Sequence, residues 1–319
     1  MRNNFQIGGA SAFPGARVRG RLAIGCTPTS TVEMPFTLIN GTKDGPILTV
    51  TAGVHGTEYT GIEATMRLAK VINPAELNGS VALVHIVNTP GFQAKVPSIC
   101  PIDGLNVNRV FPGKQGGSMS HKIAYALFSE LISKSDYYID LHCGDIHEEH
   151  VDVAYYDVHG GKTDAVSEEM ARCFSTSYIQ ADTVPGSSGT EACKLGVPAI
   201  TSEAGELGKL EEHEVNAHVE GVLNVMKRFQ LLNAPARPTH PKKLRDRLVV
   251  RSEEAGFLHR KAKCGELVAE NQVLAEIVDV YGQIVESVIS PVSGVILMAY
   301  PWPAVNSGDY LYAVCPLET

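Results

Sequence analysis

Four polar clusters in this chain, three of them directly after apolar runs, have the residue types to act together as a hydrolytic site. In Thr51-Ala-Gly-Val-His55-Gly-Thr-Glu58 an imidazole and a carboxylate are separated by two residues, directly after the apolar stretch Ile47 to Ala52. A tight turn there can aim one nitrogen and one oxygen donor at a common point, a donor set that suits zinc. A glycine-rich loop at a strand end is also where open α/β sheets place their ligands. H-x-x-E is weak by itself, but Tyr137-Tyr-Ile-Asp140-Leu-His142 is a second apolar strand that ends in histidine and offers a third ligand. Two histidines and one glutamate leave the fourth zinc position open for water, as in catalytic rather than structural sites.

A third apolar run ends in a carboxylate, Pro198-Ala-Ile-Thr-Ser-Glu203-Ala-Gly-Glu206, which fits a general base for metal-activated water. Glu206 competes with Glu203 for that role, the alternative for Glu206 being a salt bridge or an outer position. In Asp103-Gly-Leu-Asn106-Val-Asn108-Arg109 an amide and a guanidinium stand side by side, suited to gripping a substrate carboxylate. Taken singly, His55 reads as a capping residue, Glu58 as a helix-start carboxylate and His142 as a core histidine. Only their joint occurrence argues for metal. Asp140, on the same strand face as His142, either orients that imidazole or makes a structural hydrogen bond.

The elements that must position these residues are short apolar strands alternating with helical stretches. Ile47 to Ala52, Val81 to Asn88, Tyr137 to Leu141, Val151 to Tyr156 and Pro198 to Ser202 read as buried strands. Gly61 to Ile72 and Ser120 to Ser133 carry apolar residues at helical spacing. That alternation predicts an α/β fold, a mostly parallel or mixed sheet flanked by helices. Residues 1–45 form a β-rich entry, with Asn40-Gly41 supplying a hairpin turn between strands. The catalytic portion spans 46–235 and ends in a helix from about Glu214 to Leu232, stopped by the prolines of Asn233 to Pro241. Residues 245–319, with short strands punctuated by glycine, predict a small all-β barrel-like domain.

Together the four clusters resemble the succinylglutamate desuccinylase/aspartoacylase family of the zinc carboxypeptidase superfamily, over about Pro46 to Leu232. The resemblance implies zinc held by His55, Glu58 and His142, carboxylate recognition by Asn108 and Arg109, and catalysis by Glu203. Members of the superfamily commonly carry an arginine upstream of the Asn-Arg pair that stabilises the oxyanion. Between Phe92 and Asn108 this chain offers only Lys95, so that role falls to zinc and Lys95 or to an arginine elsewhere. The tail from Cys264 resembles a biotinyl/lipoyl-type barrel in Ser290-Pro-Val-Ser-Gly-Val-Ile and Val305-Asn-Ser-Gly-Asp-Tyr-Leu. It contains no lysine to carry a cofactor, which excludes swinging-arm chemistry.

Composition sets the outer limits. With 44% hydrophobic and 19% charged residues, the 319-residue chain is an ordinary globular protein of about two domains. A net charge of -8 gives no footprint for nucleic acid. There is no signal-peptide core and no run of about 18 apolar residues, so the expectation is a cytoplasmic protein without membrane contact, acting on a small molecule and open to homo-oligomer formation. Seven scattered cysteines without a C-x-x-C pair argue for reduced, mostly buried thiols. His147-Glu-Glu-His150 lacks the spacing that puts two histidines on one helix face. It reads as a solvated loop or strand start, with the pocket mouth as the alternative. Gly186-Ser-Ser-Gly-Thr190 reads as a turn and helix N-cap near Glu191 rather than a phosphate loop. The leading expectation is a zinc-dependent deacylase of an N-acyl amino acid or similar small amide. A peptide-cleaving zinc carboxypeptidase is the nearest alternative, and a non-catalytic binding module a more distant one.

Overall fold

A computed structural model describes residues 2–318. Two short antiparallel strands, β1 (Phe5–Ile7) and β2 (Ala10–Ala12), precede a nine-stranded sheet. Its strands are β3 (Arg17–Cys26), β4 (Thr31–Asn40), β5 (Lys43–Ala52), β6 (Asn78–Val84), β7 (Tyr137–His142), β9 (Val153–Tyr156), β10 (Tyr178–Ala181), β11 (Ala199–Glu203) and β12 (Lys242–Leu244). The intervening β8 (Glu149–His150) pairs outside this sheet. Across the sheet the order is β12-β10-β9-β11-β7-β5-β6-β4-β3. The expected α/β fold with a mixed sheet is therefore what the chain forms: β6, β5, β7 and β11 run parallel, whereas β9 is antiparallel to β11, and β4 to β6.

Two details differ from the sequence reading. The β-rich entry of residues 1–45 does not stand apart from the portion over 46–235, since β3 and β4 extend the central sheet. Asn40-Gly41 is not a hairpin turn either, because β6 lies between β4 and β5. Gly41 does not take positive φ. Glycine is needed there because a Cβ would stand 2.0 Å from the Leu77 carbonyl oxygen. Close approach and left-handed backbone both select glycine, and the sequence does not distinguish them.

Helices cover both faces. α1 (Tyr59–Val71), α4 (Lys162–Ala171) and α6 (Glu212–Arg228) bury Leu68, Met170 and Val222 with Leu48, Val50 and Ile139 of the sheet. On the other face α3 (Met119–Glu130) and α5 (Ser188–Leu195) pack Ile123, Leu127 and Ala192 against Phe36, Val84 and Tyr138. Between them, α2 (Thr89–Ala94) is a short helix capped by the Asn88 side chain, which accepts from the Gly91 N–H. As expected, Ser187 caps α5 by accepting from the Thr190 N–H. Among the described residues no helix is long and apolar enough to cross a membrane.

The C-terminal part is all β. One sheet has the order β13 (Leu248–Arg251), β20 (Tyr310–Cys315), β18 (Gly294–Ala299) and β15 (Leu267–Val268). The other has β17 (Ile284–Ile289), β16 (Val273–Val278), β14 (Gly256–Arg260) and β19 (Ala304–Val305). β8 adds to the first sheet by pairing Glu149 and His150 with Ala299 and Met298 of β18. Glu149 also takes a two-pronged ion pair from Arg260 at 2.7 and 3.0 Å, and Val153, Leu244, Val295 and Cys315 share one apolar cluster. The β part is thus fastened to the central sheet beside the strand ends.

The loop after β5 is held by backbone-to-backbone packing. A Cβ on Gly56 would fall 2.2 Å from the Phe92 nitrogen and 2.3 Å from the Gly91 carbonyl carbon of α2. Neither atom can swing aside as a flexible side chain would. Gly56→Ala is therefore expected to destabilise the fold by about 2 kcal/mol or more in urea unfolding, the upper part of the overpacking range. Gly116→Ala, where nothing lies within 4 Å, stays within ~0.5 kcal/mol of the parent.

Candidate metal centre and cavity

Because β5, β7 and β11 are adjacent and parallel, their carboxyl ends lie on one edge of the sheet. In register, Glu203 stands beside His142, and Ala52 beside Leu141. The loop leaving β5 brings His55 and Glu58 to the same place. One donor atom each from His55, Glu58 and His142 lies within 4.8 Å of the others. Glu58 occupies the N-cap of α1, yet its carboxylate makes no capping bond. It is turned instead to both imidazoles, with Oε1 2.7 Å from His55 Nδ1 and Oε2 2.8 Å from His142 Nδ1.

The outer nitrogens are backed as well. His55 Nε2 lies 3.3 Å from Asn106 Oδ1. His142 Nε2 lies 3.0 Å from Asp140 Oδ2, an ion-pair contact rather than a well-directed hydrogen bond. Asp140 is fixed in turn by the Thr51 and Ser188 hydroxyls, each donating at 2.6 Å. Asp140 thus makes the structural hydrogen bonds that the sequence allowed and faces the imidazole of His142. Acceptors behind the ring nitrogens that do not face Glu58 are the usual way a protein orients imidazole ligands.

Burial would raise the Glu58 pKa, but the charges and hydrogen bonds of His142 and His55 outweigh it and hold Glu58 at about 2. Burial likewise opposes the charged form of His142, yet Asp140 and Glu58 push its pKa well above the ordinary value. A buried carboxylate with two imidazole nitrogens turned to it is a donor cluster that a cation can occupy. Two nitrogens and one oxygen are the donors zinc accepts, so the residues fit the metal that the motif implies.

These residues open into a cavity of about 430 Å³ that also contains Glu203, Asn108 and Arg109. Glu203 Oε2 is buried without a hydrogen-bond partner. Burial, opposed by His142 and reinforced by Glu58 and Glu148, pushes the Glu203 pKa up to about 8. A dication at the neighbouring ligands would oppose that rise. Glu206 pairs with Lys209 at 3.2 Å and does not line the cavity, so the geometry favours Glu203 of the two carboxylates. Asn108 is buried, and its Oδ1 accepts from the Ser188 N–H at 2.9 Å, which fixes the side chain at the start of α5. Arg109 donates to the Asn108 carbonyl at 2.7 Å and has no carboxylate within 4.0 Å among the described residues.

The expected Lys95 is not brought to this cavity. It is an exposed residue that ends α2 in the left-handed conformation at φ 54° and is absent from the cavity wall. Sequence proximity to Asn108 misleads here because that turn carries the side chain away. The wall instead holds Arg247 and Arg251, with Val249, Met298 and Tyr310 also contributed from beyond β12. Arg247 is paired with Asp182 at 2.7 Å and lies 5.8 Å from the centre of the Tyr155 ring. Only the basic run Lys242 to Arg247 signals it in the sequence. His147, Glu148 and His150 also line the cavity, so this segment is a cavity wall and strand start rather than a solvated loop.

Two histidines and a glutamate at the carboxyl ends of a mixed sheet, walled by an appended β part, define an α/β protein with a built metal-type centre. The chain belongs to the succinylglutamate desuccinylase/aspartoacylase family, whose catalytic-domain model matches residues 44–229. It is 28% identical over 304 residues to an N-alpha-acetyl-L-2,4-diaminobutyric acid deacetylase of Halomonas elongata, covering 89% of this chain and 85% of that protein. Its fold is that of a succinylglutamate desuccinylase/aspartoacylase from Rhodobacter sphaeroides, with a TM-score of 0.89 at 21% identity over 100% of this chain and 97% of the other. The ectoine utilization protein EutE from Ruegeria pomeroyi, in a product-bound structure, gives 0.88 at 23% identity over 99% and 96%.

The backing of His142 by Asp140 has a measurable consequence. Asp140→Asn should weaken zinc binding about 10- to 100-fold in competition with a chromophoric chelator. Thr49→Val, which loses a buried hydroxyl contact to Ser135 just before β7, should leave zinc affinity within about threefold.

Proposed function

We propose that the protein is a zinc-dependent deacylase that hydrolyses the amide bond of an N-acyl amino acid. The observation that carries this reading is the buried, unpartnered Glu203 carboxylate oxygen in the same cavity as the His55, Glu58 and His142 donors. His55, Glu58 and His142 would hold the zinc. When bound, zinc supplies a Lewis acid that polarises the substrate carbonyl and makes water more acidic.

Everything else is done by the chain's own groups. Glu203 takes a proton from the attacking water as the water oxygen bonds to the acyl carbon. It then delivers that proton to the amine nitrogen as the C–N bond breaks, leaving a carboxylate and an amine. Arg109 and the fixed Asn108 hold the carboxylate of the amino-acid portion, which positions the scissile bond beside Glu203. Arg247, paired with Asp182, adds a second guanidinium to the wall that faces Arg109.

A cavity of about 430 Å³ closed on one side by the C-terminal β part suits a small molecule better than an extended peptide. The relative from Halomonas elongata, named for an N-acetylated amino acid, supports the same substrate class. Zinc-loaded Glu203→Gln should lose about 10²-fold or more in kcat on an N-acetyl amino acid while still binding one equivalent of zinc. Turnover within tenfold of the parent would remove Glu203 from the base role. Exhaustive chelation should abolish activity, and added zinc should restore it.

A further inference from the structure

Two surfaces that the reaction does not use complement each other in shape and charge. The first is a trough beside α1, at the β3 end of the central sheet. A hollow of about 810 Å³ and a neighbouring one of about 660 Å³ share Arg21, Pro35 and Ile86, and so form one depression. Pro35 and Ile86, with Met66 of α1 and Phe92 of α2, make it apolar. Its rim is cationic. Arg17, Arg19 and Arg21 alternate along β3 and therefore share one face of that strand, and Lys70 of α1 joins them. Arg17 donates to the Ile72 carbonyl at 2.5 Å, whereas Arg19 and Lys70 meet no carboxylate within 4.0 Å among the described residues. Of the acids nearby, Glu33 lies 3.6 Å from Arg21, and Glu63 is held by Arg67 at 2.8 Å.

The second surface is the hairpin of β16 and β17. Its turn presents Val280 and Tyr281, 78% and 86% exposed, and Ile284, Val285 and Ile289 of β17 are exposed as well. β17 is the outermost strand of its sheet. Open edges are ordinarily shielded by charge or proline, as β3 is by three arginines, and β17 lacks that protection. From Cys264 to Thr319 the chain has seven acids and no lysine or arginine. Asp279 accepts from the Tyr281 and Gln283 N–H groups at 2.9 and 2.8 Å, and Glu286 from those of Glu253 and Glu254 at 2.9 Å. Neither carboxylate meets a cation within 4.0 Å among the described residues, whereas Glu276 is paired with Lys261 at 2.9 Å.

Trough and hairpin do not meet within one chain. No residue beyond Ile102 lines the trough. The C-terminal part is fastened at the other end of the sheet, where Val153 of β9 and Leu244 of β12 pack with Val295 and Cys315. At about 4.8 Å per strand, β9 and β3 stand roughly 30 Å apart. We propose that the trough seats the β16–β17 hairpin of a second copy of this chain, each copy giving its hairpin and receiving its partner's in a twofold dimer. Val280 and Tyr281 pack over Pro35, Ile86 and Phe92, and Asp279 and Glu286 come to Arg19 and Arg21. The acidic, apolar hairpin thereby covers a cationic, apolar hollow, and neither keeps its charge unmatched. Reciprocal seating closes the assembly at two copies, where one-way seating would run on into a filament. Pairing of β17 with the β17 of a second copy would instead bring Asp279 and Glu286 of both chains together, and like charges oppose it.

Sedimentation velocity on the full chain tests this. At about 50 mM salt a monomer–dimer equilibrium is expected, weakening about tenfold or more by ~500 mM as the charges are screened. Arg19→Glu/Arg21→Glu and Tyr281→Ala should each weaken it by about tenfold or more. The position of the contact is read by cross-linking through Cys26, an exposed thiol next to Thr27 of the trough wall. A short bismaleimide should link two chains of Val280→Cys and leave Cys26→Ser/Val280→Cys unlinked. A protein that stays monomeric at about 100 μM in low salt overturns the proposal. So does a dimer that tightens with salt and ignores the arginine substitutions, or a cross-link that persists without Cys26, the outcome that β17 self-pairing gives.

Discussion

The buried Glu58 carboxylate, bridging the imidazoles of His55 and His142, is the interaction on which the rest of the structure is arranged. It sits 3% exposed at the start of α1, where an exposed acid would ordinarily cap the helix. Placing a charge there is tolerable only because both imidazoles face it and the Cys143 N–H donates to it at 3.3 Å. A divalent cation at these donors would balance the buried carboxylate, so the cost of assembling this cluster is returned when metal binds. The same demand explains why Asp140, fully buried, is held by two hydroxyls, and why His218 of α6 reaches the His142 carbonyl at 2.9 Å. These contacts fix the strand end that carries the His142 donor.

The sheet supplies the geometry that such a cluster requires. Three parallel strands side by side end at one edge, and each ends in, or leads directly to, a polar residue after an apolar run. That is why His55, Glu58, His142 and Glu203 are legible in the sequence. An apolar stretch long enough to be a buried strand, followed by a group that can ligate or accept a proton, marks a position on the sheet's carboxyl edge whatever the strand order. Asn108 and Arg109 are legible for a different reason, since an adjacent amide and guanidinium have few structural uses on a loop.

What the sequence conceals is either contact made over a long separation or geometry that one residue type serves in two ways. Arg247 and Tyr310 reach the cavity only because β8 pairs with β18 and Glu149 meets Arg260, contacts spanning more than a hundred positions. Nothing local to Arg247 marks it as a wall residue rather than part of a linker. Glu148 reads as one of four polar residues in a row, and its lack of a partner exists only in three dimensions. Gly41 is selected by close approach, not by a turn. Lys95 lies near the Asn-Arg pair in sequence, but the left-handed end of α2 turns it outward.

The C-terminal β part resembles a carrier barrel in sequence without the lysine a carrier needs, and it is placed as a wall of the cavity. Its first sheet continues through β8 to within a few residues of His142, so the wall of the cavity is built on hydrogen-bonded backbone instead of a free loop. Side chains on such a wall are held more tightly than loop residues, which favours discrimination among small substrates. The His55, Glu58 and His142 donors come from strand ends inside one sheet. Tyr310 comes from a second sheet docked beside it and shares the cavity wall with Glu148 of the loop leading into β8. Donors and wall therefore rest on different sheets, so that changes on β13, β18 and β20 alter the wall without moving His55, Glu58 or His142.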